Sequence, residues 1–98
     1  MDYSVKWSSS MYKIKEGFII RKIGNQIIAV PTGKMTSEIH GMISLSESGE
    51  LLWRALENGA EIETLADILT ENYDVEHENA LTDAKNFVEG LKKQGALE

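Results

Sequence analysis

The dipeptide Gly24-Asn25 separates two apolar, β-branched-rich runs, Phe18–Ile23 and Gln26–Pro31. Glycine tolerates positive φ without steric cost and asparagine does so better than most residues, so this spacing specifies a two-residue β-hairpin. The register follows from the turn: Ile23 opposes Gln26 and Ile20 opposes Ala29. Pro31 has no N–H to donate, so the second strand ends there. The polar segment Thr32–Ile39 reads as a loop, and Gly41–Leu45 as a short third strand.

A hairpin cannot bury its apolar face alone, and three helical patterns follow it. Ser46 is placed as an N-cap, with Glu47 and Glu50 where acidic groups favour the positive end of a helix. Leu52, Trp53 and Leu56 form an apolar stripe that Asn58-Gly59 terminates. A second helix is expected near Glu61–Asn72, with Ile62, Leu65, Ala66 and Leu69 on one face. A third is expected near Glu76–Gln94, with Ala80, Ala84, Phe87 and Leu91 facing the core. Strands first and helices second imply an α+β domain: a three-stranded antiparallel sheet followed by three helices.

The 98 residues suit one compact domain, expected over residues 12–98. Residues 1–11 form an N-terminal extension, flexible or strand-like: Tyr3, Val5 and Trp7 alternate with Ser4, Lys6 and Ser8 before Ser8–Ser10 breaks the period. The chain has no cysteine, so disulfides and thiolate metal sites are excluded. It also shows neither a secretory signal layout nor an apolar run long enough to span a bilayer, and a cytoplasmic address is expected.

The net charge of −6 hides a division. Residues 1–45 carry six Lys/Arg against three Asp/Glu, whereas residues 46–98 carry four against thirteen. An acidic helical half repels phosphates, so nucleic acid is not the expected partner.

Chemistry that would mark an enzyme is missing from the sequence pattern. His40 and His77 fall in different elements without metal-ligand spacing. Asp74, Glu76 and Glu78 resemble the start of a calcium loop, but the sixth position is Asn79 instead of Gly and the twelfth is Lys85 instead of Glu. There is no Gly-rich phosphate loop and no nucleophile elbow. The expectation is a non-enzymatic binding protein without cofactor or metal.

From Leu45 to Gly59 the chain reads LSESGELLWRALENG, preceded by HGMIS. This segment resembles the PqqD-like family of peptide chaperones, also called RiPP recognition elements, whose members carry a strand followed by L-[SN]-E-[ST]-G-x-x-[IL]-W. Leu45, Ser46, Glu47, Ser48, Gly49, Leu52 and Trp53 match that pattern. The continuation, a short helix leading to Asn72-Tyr73-Asp74-Val75 and a long last helix ending in Gly95-Ala96-Leu97, is also similar, and the likeness covers about Ile14–Leu97. The resemblance implies a winged-helix-like domain that binds the leader region of a ribosomally made precursor peptide. In the family the leader adds as a strand against the third strand, beside the third helix. It is presented there to a modifying enzyme, often a radical SAM enzyme.

The residues permit such a role. Gly41, Met42, Ile43, Ser44 and Leu45 contain no Lys or Pro to discourage strand addition at a sheet edge. On the last helix Leu81, Lys85, Val88 and Lys92 share a face beside the core stripe, which suits the floor of a peptide groove. Alternatives are a winged-helix DNA-binding regulator, and a docking domain for a larger enzyme without peptide binding of its own. The oligomer is expected to be a monomer or a strand-swapped dimer.

Overall fold

The computed structural model of the chain describes residues 11–39 and 41–98. The Tyr3–Trp7 pattern and His40 lie outside the described residues. The elements in chain order are β1 (Phe18–Ile23), β2 (Gln26–Pro31), α1 (Met35–Glu38), β3 (Ile43–Leu45), α2 (Glu47–Glu57), α3 (Ile62–Asn72) and α4 (His77–Lys93). The strands form one antiparallel sheet in the order β1-β2-β3, and the helices that follow make an α+β arrangement.

The hairpin takes the register its turn dictates, with Ile23 paired to Gln26 and Ile20 to Ala29. Ala29 also pairs with Ile43 of β3, so Ile20, Ala29 and Ile43 form one row across the core face. Side chains one position along point to the opposite face, as the two-residue period of a strand requires.

Two details differ from the sequence reading. Thr32–Ile39 is not wholly a loop, because Met35–Glu38 closes a single helical turn. Thr36 and Ser37 hydroxyls donate back to the carbonyls of Gly33 and Lys34 at 2.7 and 2.9 Å, and Met35 is buried. One turn is too short to show a helical period. The third strand is also shorter than Gly41–Leu45: Gly41 has φ +88°, outside the extended region, and pairing begins at Ile43.

α2 begins as expected. The Ser46 side chain accepts a hydrogen bond from the Gly49 N–H at 3.0 Å, satisfying one of the orphan donors of the first turn. The helix places Leu52, Trp53 and Leu56 in the core, where Trp53 is fully buried. Phe18 of β1 meets the Trp53 ring edge-on, with centroids 5.2 Å apart and planes at 85°, the arrangement ring quadrupoles favour. The indole Nε1 is buried with no hydrogen-bond partner among the described residues.

α3 and α4 pack against each other and close the core with Leu65, Ala66, Leu69, Ala80, Ala84, Val88 and Leu91. A strap at residues 12–15 ties this assembly together. Tyr12 exchanges two backbone bonds with Ala60, Ile14 donates to Leu56, and Lys15 donates to Ala96. Ile14 is buried among core residues, so the segment before the hairpin is part of the packed unit.

Candidate functional site

β3 is an edge strand. Its inner side pairs with β2, and among the described residues no further strand lies on its outer side. Alternate N–H and C=O groups of Ile43–Leu45 therefore face outward, where an extended chain could satisfy them. Ile43 is buried and Leu45 half-buried on the core face, while Ser44 is exposed. Gly41 and Met42 precede the strand and are also exposed, Met42 at 64%.

A groove of about 360 Å³ runs beside this edge, lined by Glu38, Ile39, Met42, Ile43, Ser44 and Gln94. Its second wall comes from the end of α4. Further back along that helix, Phe87 reaches the start of α2. A Cβ built on Gly49 would stand 3.3 Å from Phe87 Cε1 and 3.7 Å from Leu45 Cβ. Phe87 thus lies at the Leu45 end of β3 and Gln94 at the Ile43 end. The seven-residue helical step between them spans about 10 Å, comparable to the roughly 7 Å of two strand steps.

The helix geometry decides which of the expected residues share this surface. The buried face of α4 is Ala80, Ala84, Val88 and Leu91. At about 100° per residue, Phe87, Gly90 and Gln94 fall on one flank of that face. Leu81, Lys85 and Lys92 fall on the other, turned roughly 160° away. Lys92 Nζ stands 5.0 Å from the centroid of the Tyr12 ring and 3.5 Å from Glu89 Oε2, on the side held by the strap. Leu81 is half-buried against the core and Lys85 is exposed.

The two parts of the surface expected from sequence are therefore not brought together. Val88 is no part of an open groove floor, since it is 2% exposed and belongs to the core. Phe87, assigned to the core face from its spacing, is half-buried and packs against the core cluster from its flank. Both follow from a rotation of the helix by less than one residue step. Ile39, Gly90 and Gln94 were not singled out from sequence, and no local pattern distinguishes them.

The electrostatics follow the same division. The groove lining includes one carboxylate, Glu38, and no Lys or Arg. Glu38 pairs with Lys15 at 3.6 Å. Lys85 and Lys92 thus stand on the flank of α4 away from β3. Elsewhere, His77 and Glu63 approach to 3.4 Å between α4 and α3, and Asp67 joins them so that three potential ligand atoms lie within 4.8 Å of one another. All three side chains are exposed, and the contact behaves as a surface ion pair when the imidazole is protonated. Among the described residues no helix is long and apolar enough to cross a membrane.

Comparison with known proteins gives two findings. A family model described as coenzyme PQQ synthesis protein D, PqqD, matches residues 29–97. A solved structure, TbiB1 in complex with the TbiA(beta) leader peptide, is similar with a TM-score of 0.69 and 21% sequence identity, covering 88% of this chain and 94% of that one. At that identity the likeness is one of fold. No curated protein matches the chain.

Proposed function

Because the chain belongs to the PqqD family, we propose that it is a non-catalytic chaperone for a ribosomally made precursor peptide. The peptide's leader region adds as a strand to the outer edge of β3. Extended backbone supplies the affinity through main-chain hydrogen bonds to Ile43–Leu45, and side chains lying in the groove supply the selectivity. The walls are Met42 and Ile39 on one side and the Phe87–Gln94 flank of α4 on the other. The chain then presents the bound peptide to a modifying enzyme, such as a radical SAM enzyme. The reading assigns no catalytic residue to this chain.

The observation that carries the proposal is an edge strand with an adjacent groove, in a fold shared with a protein solved in complex with a leader peptide. The lining charge refines the expected ligand. Without Lys or Arg in the groove, a mainly apolar and uncharged segment fits better than an acidic one.

The test is a backbone amide NMR titration with the leader of the precursor peptide. Expected perturbations concentrate at Ile43–Leu45 and Phe87–Gln94, and N-methylation of alternate leader residues weakens binding at least tenfold. Shifts centred on Lys85 and Lys92 with β3 unmoved would reject strand addition at this edge.

A further inference from the structure

We propose that Gly90 is a notch in α4 that admits one large apolar side chain of the bound peptide, and so sets which peptides this chain accepts. The inference rests on the strand-addition reading above and concerns the same groove.

The case begins with an unexplained glycine. Gly17, Gly24, Gly33, Gly41, Gly59 and Gly95 all have positive φ, so their backbones require glycine. Gly49 has no such φ, but a Cβ there would press on Ser46 Oγ at 3.2 Å and on the Phe87 ring at 3.3 Å. Gly90 has neither reason. It lies at the start of the last turn of α4 without positive φ, and a Cβ built on it would meet nothing within 4 Å. Nor does it end the helix, because Gly95 provides the left-handed residue after the Gln94 cap.

Glycine inside a helix is less stable than alanine because it loses more backbone entropy on folding. At Gly90 alanine would fit the folded chain without a clash. The folded domain by itself would therefore favour alanine, and the space beside Gly90 is open to an occupant from outside the domain. That space has a location. By the helical period Gly90 shares a flank with Phe87, three residues before it, and with Gln94, four residues after it, and of these Gln94 lines the groove beside β3. The Phe87 ring is available one turn away as an apolar contact. A side chain of leucine, isoleucine or aromatic size, projecting from a strand paired with β3, would enter between Phe87 and Gln94.

The experiment uses the full chain and a library of random 20-residue peptides displayed on their own mRNA. Peptides enriched on the wild type are synthesised, and their affinities are measured for wild type, Gly90→Ala and Gly90→Leu. Thermal melting is recorded in parallel. Gly90→Ala should melt above the wild type yet bind more weakly, by about threefold. Gly90→Leu should lose roughly tenfold or more, equivalent to about 1.4 kcal/mol. Trimming the enriched large apolar residue of the peptide to alanine should weaken binding to the wild type but cost little further on Gly90→Leu.

A more stable Gly90→Ala with unchanged affinity, together with full binding by Gly90→Leu, would overturn the notch while leaving strand addition intact. If the wild type enriches no peptide, or enriched peptides leave the β3 amides unmoved, the strand-addition reading fails and the notch fails with it.

Discussion

Phe87 packs over Gly49 so closely that a methyl group on the glycine would stand 3.3 Å from ring carbon Cε1. This contact joins the start of α2 to α4 at the Leu45 end of β3. A glycine in the first turn of α2 lowers intrinsic helix stability, and the close approach is the compensation. Gly49→Leu would force the ring, the Ser46 cap or the helix to move. The expected cost is about 1–3 kcal/mol, the range for overpacking a close-packed site. Urea denaturation measures it, and an unchanged midpoint would show that Phe87 yields freely.

Ser46 has a separate effect on the same helix. Its Oγ accepts from the Gly49 N–H at 3.0 Å, and Ser46→Ala removes that partner. A loss of about 1 kcal/mol is expected, whereas Ser46→Asp should retain most of the stability. The comparison of the two variants by thermal melting separates capping from loss of volume.

Trp53 is the largest side chain in the fully buried core, and Phe18 depends on it for an edge-on contact. Trp53→Ala should cost about 3–5 kcal/mol. That is a large part of the total stability of a small domain, commonly about 5–15 kcal/mol. Near-ultraviolet circular dichroism should show loss of fixed tertiary structure at temperatures where the wild type remains folded.

The cations of α4 provide a test of which flank receives the peptide. Lys85→Ala and Lys92→Ala should each change peptide affinity by less than about twofold, because they stand on the flank away from β3. Lys92→Ala should cost about 0.5–1 kcal/mol of stability through its lost contact with the Tyr12 ring, as for other exposed cation–π pairs. Gln94→Lys, in contrast, places a cation in the groove lining. It should raise the affinity of acidic peptides relative to neutral ones, and that gain should fade as salt is added.

What the sequence determined by itself was local. Gly24-Asn25 set the hairpin and its register because turn geometry is governed by two residues and their immediate neighbours. Ser46 set the start of α2 for the same reason, and Pro31 the end of β2. The LSESGELLW segment placed a strand before a helix and pointed to the family.

Only the tertiary structure decided which flank of α4 lies beside β3. Leu81, Phe87, Val88 and Leu91 spread apolar character around more than one face, so periodicity alone leaves the rotation of the helix uncertain by about one residue step. Packing against α3 and the strap resolves it, burying Val88 and carrying Lys92 to Tyr12. Phe87 and Gln94 are thereby turned toward the two ends of β3. The edge of β3 was legible because its chemistry lies in consecutive residues. Its facing wall was not, because that wall depends on how distant segments pack.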